Sequence, residues 1–300
     1  MARHDDSLLD PKEFLESDSA TTTCGLLRKL TPLPELNLIL ELYLRELTGR
    51  LFQEIQSVFL FGSAALDDIA PAHGDIDILV VARRDLGEAA RGEISVIHRY
   101  LASEGFAPWG RMLSVHYFAL PQLKASRRSG RGLKGITGKV VRSDPSELLM
   151  IDLLSLHDHG ILLFGQDIRK ELKRPSLREL LGEIHSCLAK AKELHDDSDV
   201  SDYVGTCTGL VKILHTLAER HPFSKSDATR WFASTVGGKA GDVAVEANRL
   251  RRGELKTGVG GMRRLMPAFL EAIRSELSRI ERDLEKEPDL PAKPADASGT

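Results

Sequence analysis

Residues 57–82, SVFLFGSAALDDIAPAHGDIDILVVA, decide the fold of this chain. An apolar run ends in Gly62-Ser63. After eleven intervening residues Asp75 and Asp77 open a second apolar run. Both runs have the length and composition of buried strands. The stretch therefore predicts a strand, a Gly-Ser turn and a second strand that begins with two acids.

The two acids predict a metal site. Side chains at positions i and i+2 of a strand point to the same face. On an otherwise apolar strand two carboxylates would repel each other and be poorly solvated unless a cation lay between them. A hard divalent ion with oxygen ligands fits this pair, and we expect Mg²⁺. Asp75 and Asp77 are therefore predicted metal ligands and catalytic residues.

The Gly62-Ser63 turn predicts an anion site, because such a turn leaves backbone N–H groups free to hold a phosphate. A metal pair beside a phosphate cradle is typical of phosphoryl or nucleotidyl transfer. The order strand, GS, eleven residues, DxD, strand resembles the signature of the DNA polymerase beta nucleotidyltransferase superfamily. The resemblance implies that Gly62 and Ser63 contact a nucleotide triphosphate. It also implies that Asp75 and Asp77 hold two Mg²⁺ ions.

Composition narrows the class of protein. The chain has 300 residues, enough for one large or two ordinary domains. A net charge of −3 gives no general attraction to nucleic acid, which we do not expect as a partner. The three cysteines form no CxxC, and this favours a reducing compartment. The N-terminus is polar and no apolar run approaches the ~20 residues of a membrane span, so we expect a cytoplasmic protein away from the membrane.

Periodicity predicts an α+β fold. Helical spacing covers residues 32–55 and 86–104, and residues 112–120 alternate like a strand. From Pro145 onwards the pattern is helical, and residues 163–167 form a break between helices. We therefore predict a small mixed-sheet nucleotidyltransferase domain followed by a helical-bundle domain. The predicted divisions are a flexible N-terminus over 1–20, the nucleotidyltransferase domain with a basic linker over 21–142, the helical C-terminal domain over 143–285 and a disordered tail over 286–300.

The basic linker has two interpretations. Residues 124–142 contain seven Lys and Arg residues, four glycines and no acid. The segment is either a solvated connecting loop or an electrostatic lip that attracts the phosphates of a nucleotide.

The helical half carries a closer resemblance. The residues from Ser224 to Trp231 read S-K-x-x-A-x-x-W and follow a helix that contains GLVKIL. With the segment HDHGILLFG they resemble the helical domain of streptomycin/spectinomycin-type aminoglycoside adenylyltransferases, over about residues 35–285. The resemblance implies ATP as a substrate and a small-molecule acceptor. It places Lys212 and Lys225 at the ATP phosphates and Asp202 at a cationic drug. Lys212 stands where the family usually has Arg, so the charge is kept but the bidentate fork is lost.

Simpler interpretations of these residues stay open. A Lys at a helix start, as Lys225 is, is commonly a surface residue. Asp202 is also explained as a helix cap. The run HDDSDVSD either supplies an acidic cleft for a cation, through Asp202 and the nearby Asp196, Asp197 and Asp199, or is an ordinary solvated loop. Trp231 on an amphipathic helix is more simply explained as a core residue than as a platform for the substrate.

The chain departs from the family at one position. These enzymes usually carry a third acid on the strand after the DxD hairpin, and the matching residue here is Ser114. His116 lies two residues on, on the same face, and a neutral His can act as a general base at pH 7. Three accounts follow. His116, or an acid from elsewhere such as Asp202, replaces the base; or the two Asp suffice with a more nucleophilic acceptor; or efficient catalysis has been lost.

The sequence thus predicts a Mg²⁺-dependent nucleotidyltransferase that moves AMP from ATP to an acceptor hydroxyl. An aminoglycoside-like small molecule is the candidate acceptor, which would make the protein an antibiotic-resistance enzyme. Two alternatives are a nucleotide-binding regulatory protein with weakened or lost catalysis, and AMP transfer to a macromolecule.

Overall fold

The computed structural model describes residues 30–70, 72–124, 130–194, 198–255 and 259–286. The predicted flexible N-terminus over 1–20 and the predicted tail beyond residue 286 lie outside these residues. The described chain divides into two compact units. The first comprises the chain up to Leu60, Ile76–Glu147 and Ile161–Leu172. The second comprises Phe61–Asp75, Leu148–Gly160 and the chain from Lys173 onwards.

The first half of the chain is rich in strands and the second half is mainly helical. The strands are β1 Ile55–Phe61, β2 Ile76–Ala82, β3 Leu113–Ala119, β4 Gly132–Ile136, β5 Lys139–Ser143 and β6 Ile161–Gly165. The α-helices are α1 Pro34–Leu51, α2 Gly62–Ala65, α3 Glu88–Leu101, α4 Leu120–Lys124, α5 Met150–His159, α6 Leu177–Ala191, α7 Val200–Glu219, α8 Lys225–Thr235, α9 Gly238–Arg251 and α10 Val259–Lys286. Short 3₁₀ turns cover Glu104–Phe106, Trp109–Met112, Pro145–Glu147 and Arg169–Glu171.

The first unit is built on one mixed sheet with the strand order β5-β4-β3-β2-β1-β6. Strands β2 and β3 are parallel, while β4, β5 and β6 pair antiparallel with their neighbours. Helices α1 and α3 cover one face. There the Tyr43 hydroxyl donates to the Tyr117 hydroxyl at 3.0 Å, and His98 Nε2 lies 2.9 Å from the same oxygen. Because side chains alternate along β3, Ser114 and His116 lie on the opposite face.

Helix α1 begins with Pro34 in its first turn, where the fixed φ of proline suits the start of a helix. The helix ends at Leu51, earlier than expected, and Ile55 opens β1. Ile55 is fully buried and continues the apolar pattern of the helix. A buried residue at that spacing satisfies both the helical and the strand interpretation, so periodicity alone places the boundary too late.

Three strands were not predicted. The basic segment contains the hairpin β4–β5, whose outer strand β5 is largely exposed. The predicted break over residues 163–167 contains the end of β6, which pairs with β1. Gly165 has a φ of 83°, and a Cβ there would lie 1.9 Å from the carbonyl oxygen of Gln56. Glycine at this position therefore permits the close approach of β6 to β1.

The second unit is a helical bundle around α7. This helix packs against α6, α8, α9 and α10. Its buried face includes Leu210 and Leu214, which share a core with Phe232, Phe269 and Ile273. The predicted α+β class, a small mixed sheet followed by a helical bundle, is confirmed. Within the described residues, every helix is too short or too polar to cross a membrane.

Candidate active site

The Gly62-Ser63 turn follows directly from the end of β1. Gly62 has a φ of 67°, a left-handed conformation that glycine adopts without steric cost. The short helix α2 starts there, and the Ser63 carbonyl accepts from the N–H groups of Leu66 at 3.2 Å and Asp68 at 2.9 Å. The chain therefore reverses direction at Gly62-Ser63, where the sequence predicts a turn.

The same loop brings the turn back to the first acid. The Ser63 hydroxyl donates to the Asp75 carbonyl oxygen at 3.4 Å. Gly74 is required beside Asp75, because a Cβ there would lie 2.4 Å from the carbonyl oxygen of Ala70. Asp75 is exposed and directly precedes β2, and Asp77 is the half-buried second residue of that strand. The predicted phosphate turn and the predicted metal ligand are thus joined by a direct hydrogen bond.

The two carboxylates suit a metal that arrives with its substrate. Among the described residues there is no group of three or more His, Cys, Asp and Glu side chains that could hold an ion by themselves. Mg²⁺ commonly takes one or two carboxylates and completes its shell with substrate phosphates and water. The donor set of Asp75 and Asp77 fits that mode of binding. The number of ions stays a prediction.

Asp152 is the residue that the sequence reasoning missed. It lies in the first turn of α5, which packs against α2. Burial raises the pKa of the Asp152 carboxyl, the Lys212 and Lys225 ammonium groups lower it in part, and Asp75 raises it. The Leu149 N–H donates to the same carboxylate. The structure therefore brings three predicted site residues into electrostatic range of one desolvated acid.

A signal for Asp152 was present in the sequence. It is the only charged residue in the run LLMIDLLSL. A carboxylate inside an apolar helical run is costly to desolvate unless it has a partner. The pattern could have marked Asp152 as a paired acid, although not its partners.

The two lysines have different surroundings. Lys212 lies in the middle of α7 and is only 7% exposed. Lys225 is the half-buried first residue of α8. The preceding Ser224 caps that helix, since its hydroxyl accepts from the Asp227 N–H at 3.0 Å. Lys225 is therefore held on a fixed helix start, which differs from the exposed lysine of the simpler interpretation.

Asp202 is exposed and lies in the first turn of α7. The helix begins at Val200, and its N-cap is Asp199. The interpretation of Asp202 as the cap is therefore wrong. The neighbouring Ser201 hydroxyl lies 3.2 Å from His73 Nδ1, two residues before Asp75. Asp202 is thus close along the chain to a residue that contacts the Ser63–Asp75 loop, while Asp196 and Asp197 lie outside the described residues.

His116 is buried on β3, only 5% exposed, and stacks on Phe118 with a ring separation of 5.7 Å. Among the described residues its Nδ1 has no hydrogen-bond partner. The pKa of His116 is lowered to about 4, mainly by burial and in part by Lys134, while Glu147 opposes the shift. The ring is therefore neutral at pH 7. Ser114 pairs in register with Asp77, so this position offers a hydroxyl where the family has an acid.

Trp231 is half-buried against the helical core. It stacks on His215 at 4.8 Å, and His215 stacks on Phe223 at 4.2 Å. This packing against the core agrees with the interpretation of Trp231 as a core residue.

Comparison with known proteins supports the class that these residues define. Residues 43–105 match the nucleotidyltransferase domain family, and this span contains the Gly62-Ser63 turn and both Asp75 and Asp77. Among solved structures, the fold is similar to that of spectinomycin adenyltransferase AAD(9) from Enterococcus faecialis, determined with ATP and spectinomycin. The TM-score is 0.63 at 14% identity, over 81% of this chain and 98% of that chain.

At this level of identity the structural likeness establishes the fold. A search of curated protein sequences finds no match. The domain match confirms the resemblance to nucleotidyltransferases over residues 43–105, and the fold shared with a spectinomycin adenyltransferase agrees with the closer resemblance.

Proposed function

We propose that the protein is a Mg²⁺-dependent nucleotidyltransferase that moves AMP from ATP to an acceptor hydroxyl. One observation carries the proposal: Asp75, Lys212 and Lys225 lie in electrostatic range of Asp152, and Asp75 is hydrogen-bonded to the Ser63 turn. Two partly buried cations are suited to a polyphosphate, because the attraction between charges is stronger where water is excluded.

The nucleotide would be held by Gly62, Ser63 and the two lysines. The backbone at Gly62 and Ser63 approaches the phosphates, and the ammonium groups of Lys212 and Lys225 neutralise them. Asp152 acts as the counter-charge that orients both lysines before the nucleotide arrives. This role explains why a carboxylate is kept in a half-buried position, since two cations lie in electrostatic range of it.

Asp75 and Asp77 would hold the Mg²⁺. The bound metal supplies charge neutralisation on the phosphoryl oxygens and makes the acceptor hydroxyl easier to deprotonate. The two carboxylates would also orient the other ligands of the bound ion. We expect two ions, as the superfamily resemblance implies.

The reaction needs one proton acceptor. The acceptor oxygen forms a bond to the α-phosphorus, the bond to pyrophosphate breaks, and the hydroxyl proton leaves. We propose that His116 receives this proton, because its ring is neutral at pH 7 and Nδ1 has no partner among the described residues. A pKa near 4 makes it a weak base, so we expect a slow enzyme.

The proposed acceptor is an aminoglycoside-like cation. The exposed carboxylate of Asp202 would attract it, beside Ser201 and its contact with the loop that leads to Asp75. The similar fold of AAD(9), which was solved with spectinomycin, supports this choice. We propose that the protein acts in the cytoplasm, because its cysteine usage favours a reducing compartment.

Calorimetry and pyrophosphate release test the proposal. Purified protein with Mg²⁺ is titrated with each of the four NTPs, and pyrophosphate release is measured against a panel of aminoglycosides and metabolites. We expect ATP binding, and release that is lost in Asp77→Ala. Absence of nucleotide binding, with no effect of Asp75→Ala, contradicts the proposal. Unchanged susceptibility to streptomycin and spectinomycin on expression contradicts the drug acceptor.

A second function is favoured by the chemistry around β3. Ser114 faces Asp77 in register, and His116 is a weak base. A nucleotide-binding regulatory protein with weakened or lost catalysis would show ATP binding without pyrophosphate release. Transfer of AMP to a macromolecule would instead place label from ATP on a protein or nucleic acid of a cell lysate.

A further inference from the structure

A buried ion pair in the second unit is formed by residues that have no role in the site as described so far. Arg251 ends α9 with a side chain 1% exposed, and Asp68 lies in the loop between α2 and β2 with a side chain 6% exposed. Arg251 Nη2 donates to both carboxylate oxygens, at 2.9 and 2.8 Å. Its Nη1 donates to the backbone carbonyl of Asp68 at 2.9 Å. One guanidinium thus fixes both the side chain and the backbone of Asp68.

The same carboxylate also holds the start of α8. The Ser226 N–H donates to Asp68 Oδ2 at 3.0 Å, and its hydroxyl donates to Oδ1 at 2.5 Å. Asn248 completes the network, since its Nδ2 donates to the Ser226 hydroxyl at 3.3 Å and its Oδ1 accepts from Arg251 Nε at 3.0 Å. Ser226 directly follows Lys225, so Asp68 is tied to the helix turn that carries this lysine.

Backbone hydrogen bonds extend the network to both ends of the loop. The Asp68 N–H donates to the Ser63 carbonyl at 2.9 Å. The His73 N–H, two residues before Asp75, donates to the Arg251 carbonyl at 3.2 Å. The loop between Ser63 and Asp75 is therefore anchored near its beginning and near its end.

An anchor of this kind is a poor choice for stability alone. Burying two charges costs desolvation energy that their attraction only partly offsets, and an apolar pair of similar volume is often as stable. A fully hydrogen-bonded ion pair does fix one geometry, because any other arrangement leaves a buried charge unpaired. The position of this pair, between the phosphate turn and Lys225, indicates which geometry is being fixed.

We propose that Asp68 and Arg251 are positioning residues that hold Ser63, Asp75 and Lys225 in the arrangement that the nucleotide requires. The inference rests on the proposed function for its role, although the network itself exists without nucleotide. Neither residue needs to touch the substrate.

Asp68→Asn is the sharpest test, because it keeps the shape and removes the charge. We expect the Kd and the KM for Mg-ATP to rise about 10- to 100-fold, since a displacement of about an ångström is enough for such a loss. The kcat at saturating ATP should fall less than the KM rises. Arg251→Lys keeps the charge but loses the fork, and should give an intermediate affinity.

The matched control is Asp158→Asn. Asp158 pairs with Arg174 through two bonds, at 3.0 and 2.7 Å, in the same unit, and its side chain is 13% exposed. We expect this variant to lower the unfolding temperature without changing ATP affinity. An equal loss of ATP affinity in Asp158→Asn would show a general effect of destabilisation and overturn the positioning role.

Amide hydrogen exchange provides a readout that needs no nucleotide. In Asp68→Asn the amides of Asp68, His73 and Ser226 should exchange faster, while the central part of α7 is unaffected. Unchanged exchange at these amides, or ATP affinity that is unaltered in Asp68→Asn, overturns the inference. If wild-type protein binds no nucleotide, the proposed function fails, whatever the exchange shows. Should Asp68→Asn not fold, Arg251→Lys carries the same measurements.

Discussion

At the scale of single residues, the second unit collects charge around Asp152. Its carboxylate is desolvated and interacts with Lys212, Lys225 and Asp75. Two lysine ammonium groups would be enough to bind a phosphate group. Asp152 is an additional acid beside them. Removing either lysine should therefore change the pKa of Asp152 as well as the affinity for the nucleotide.

Lys212→Met tests this balance. The variant removes a buried cation, so the pKa of Asp152 should rise further and Mg-ATP affinity should fall at least roughly tenfold, a loss of about 1.4 kcal/mol. Lys212→Arg restores the charge and should recover most of the binding. Titration calorimetry measures the Mg-ATP affinity of both variants. Lys239→Met, at an exposed position of α9, is the control; equal binding by Lys212→Met and wild-type protein would contradict the assignment.

His116→Gln tests the proposed base. A positioned base contributes about 10²- to 10⁴-fold, so the rate of pyrophosphate release should fall within or below that range, because the pKa of His116 is already low. Binding of Mg-ATP should be unchanged. Single-turnover kinetics with the identified acceptor makes the measurement. A rate equal to that of wild type would assign the proton to another group.

At the scale of elements, the turn into α2 depends on backbone conformation. Gly62 has a positive φ, whereas Gly182 lies within α6 with open space around it. The two glycines therefore make a matched pair for the same substitution.

Gly62→Ala should destabilise the protein by about 1–2 kcal/mol, because an L-residue is strained in the left-handed region. Nucleotide affinity should fall in parallel, since the turn carries Ser63. Gly182→Ala should stabilise by roughly 0.5–1 kcal/mol and leave binding unchanged, as glycine is a poor helix former. Denaturant unfolding and calorimetry compare the two. Intact binding in Gly62→Ala would remove the turn from the site.

The elements also show what the sequence can predict. The turn with its two flanking strands could be predicted, because its spacing and its glycine are local properties. Strand β6 could not, since it is formed by pairing with β1 far along the chain: the Ser57 hydroxyl donates to the Gln166 carbonyl, 109 residues away. Asp152 was missed for the same reason, because its partners Lys212 and Lys225 come from later helices.

At the scale of the whole molecule, buried histidines make the fold sensitive to acid. Burial lowers the pKa of His98, His116 and His215 to about 4 in each case. In the unfolded chain each would titrate near 6.5. The unfolded state therefore binds protons first, and the stability that each neutral ring contributes is present above about pH 6.5 and lost as the pH falls towards 4, by up to about 3 kcal/mol each.

His215→Phe should reduce this loss. The ring is stacked between Phe223 and Trp231 and its Nδ1 has no partner among the described residues, so phenylalanine preserves the packing and removes one titrating group. The unfolding temperature is measured at about pH 7.5 and about pH 5, on either side of the pKa of histidine in the unfolded chain. It should fall less between these two values in His215→Phe than in wild type. The control is His185→Gln, which removes an exposed histidine that contacts Glu281 at the surface. An identical fall in His215→Phe would refute the assignment.

The return of β6 to β1 has a consequence for synthesis of the protein. The ribosome completes β1 at residue 61 and begins β6 at residue 161. At about 5–20 residues per second, the outer edge of β1 stays without its final partner for roughly 5–20 seconds. During that interval the nascent chain presents an open strand edge to chaperones and to neighbouring chains. Translation pauses between these two points would lengthen the exposure, and synonymous codons there are a means of controlling aggregation without changing a single amino acid.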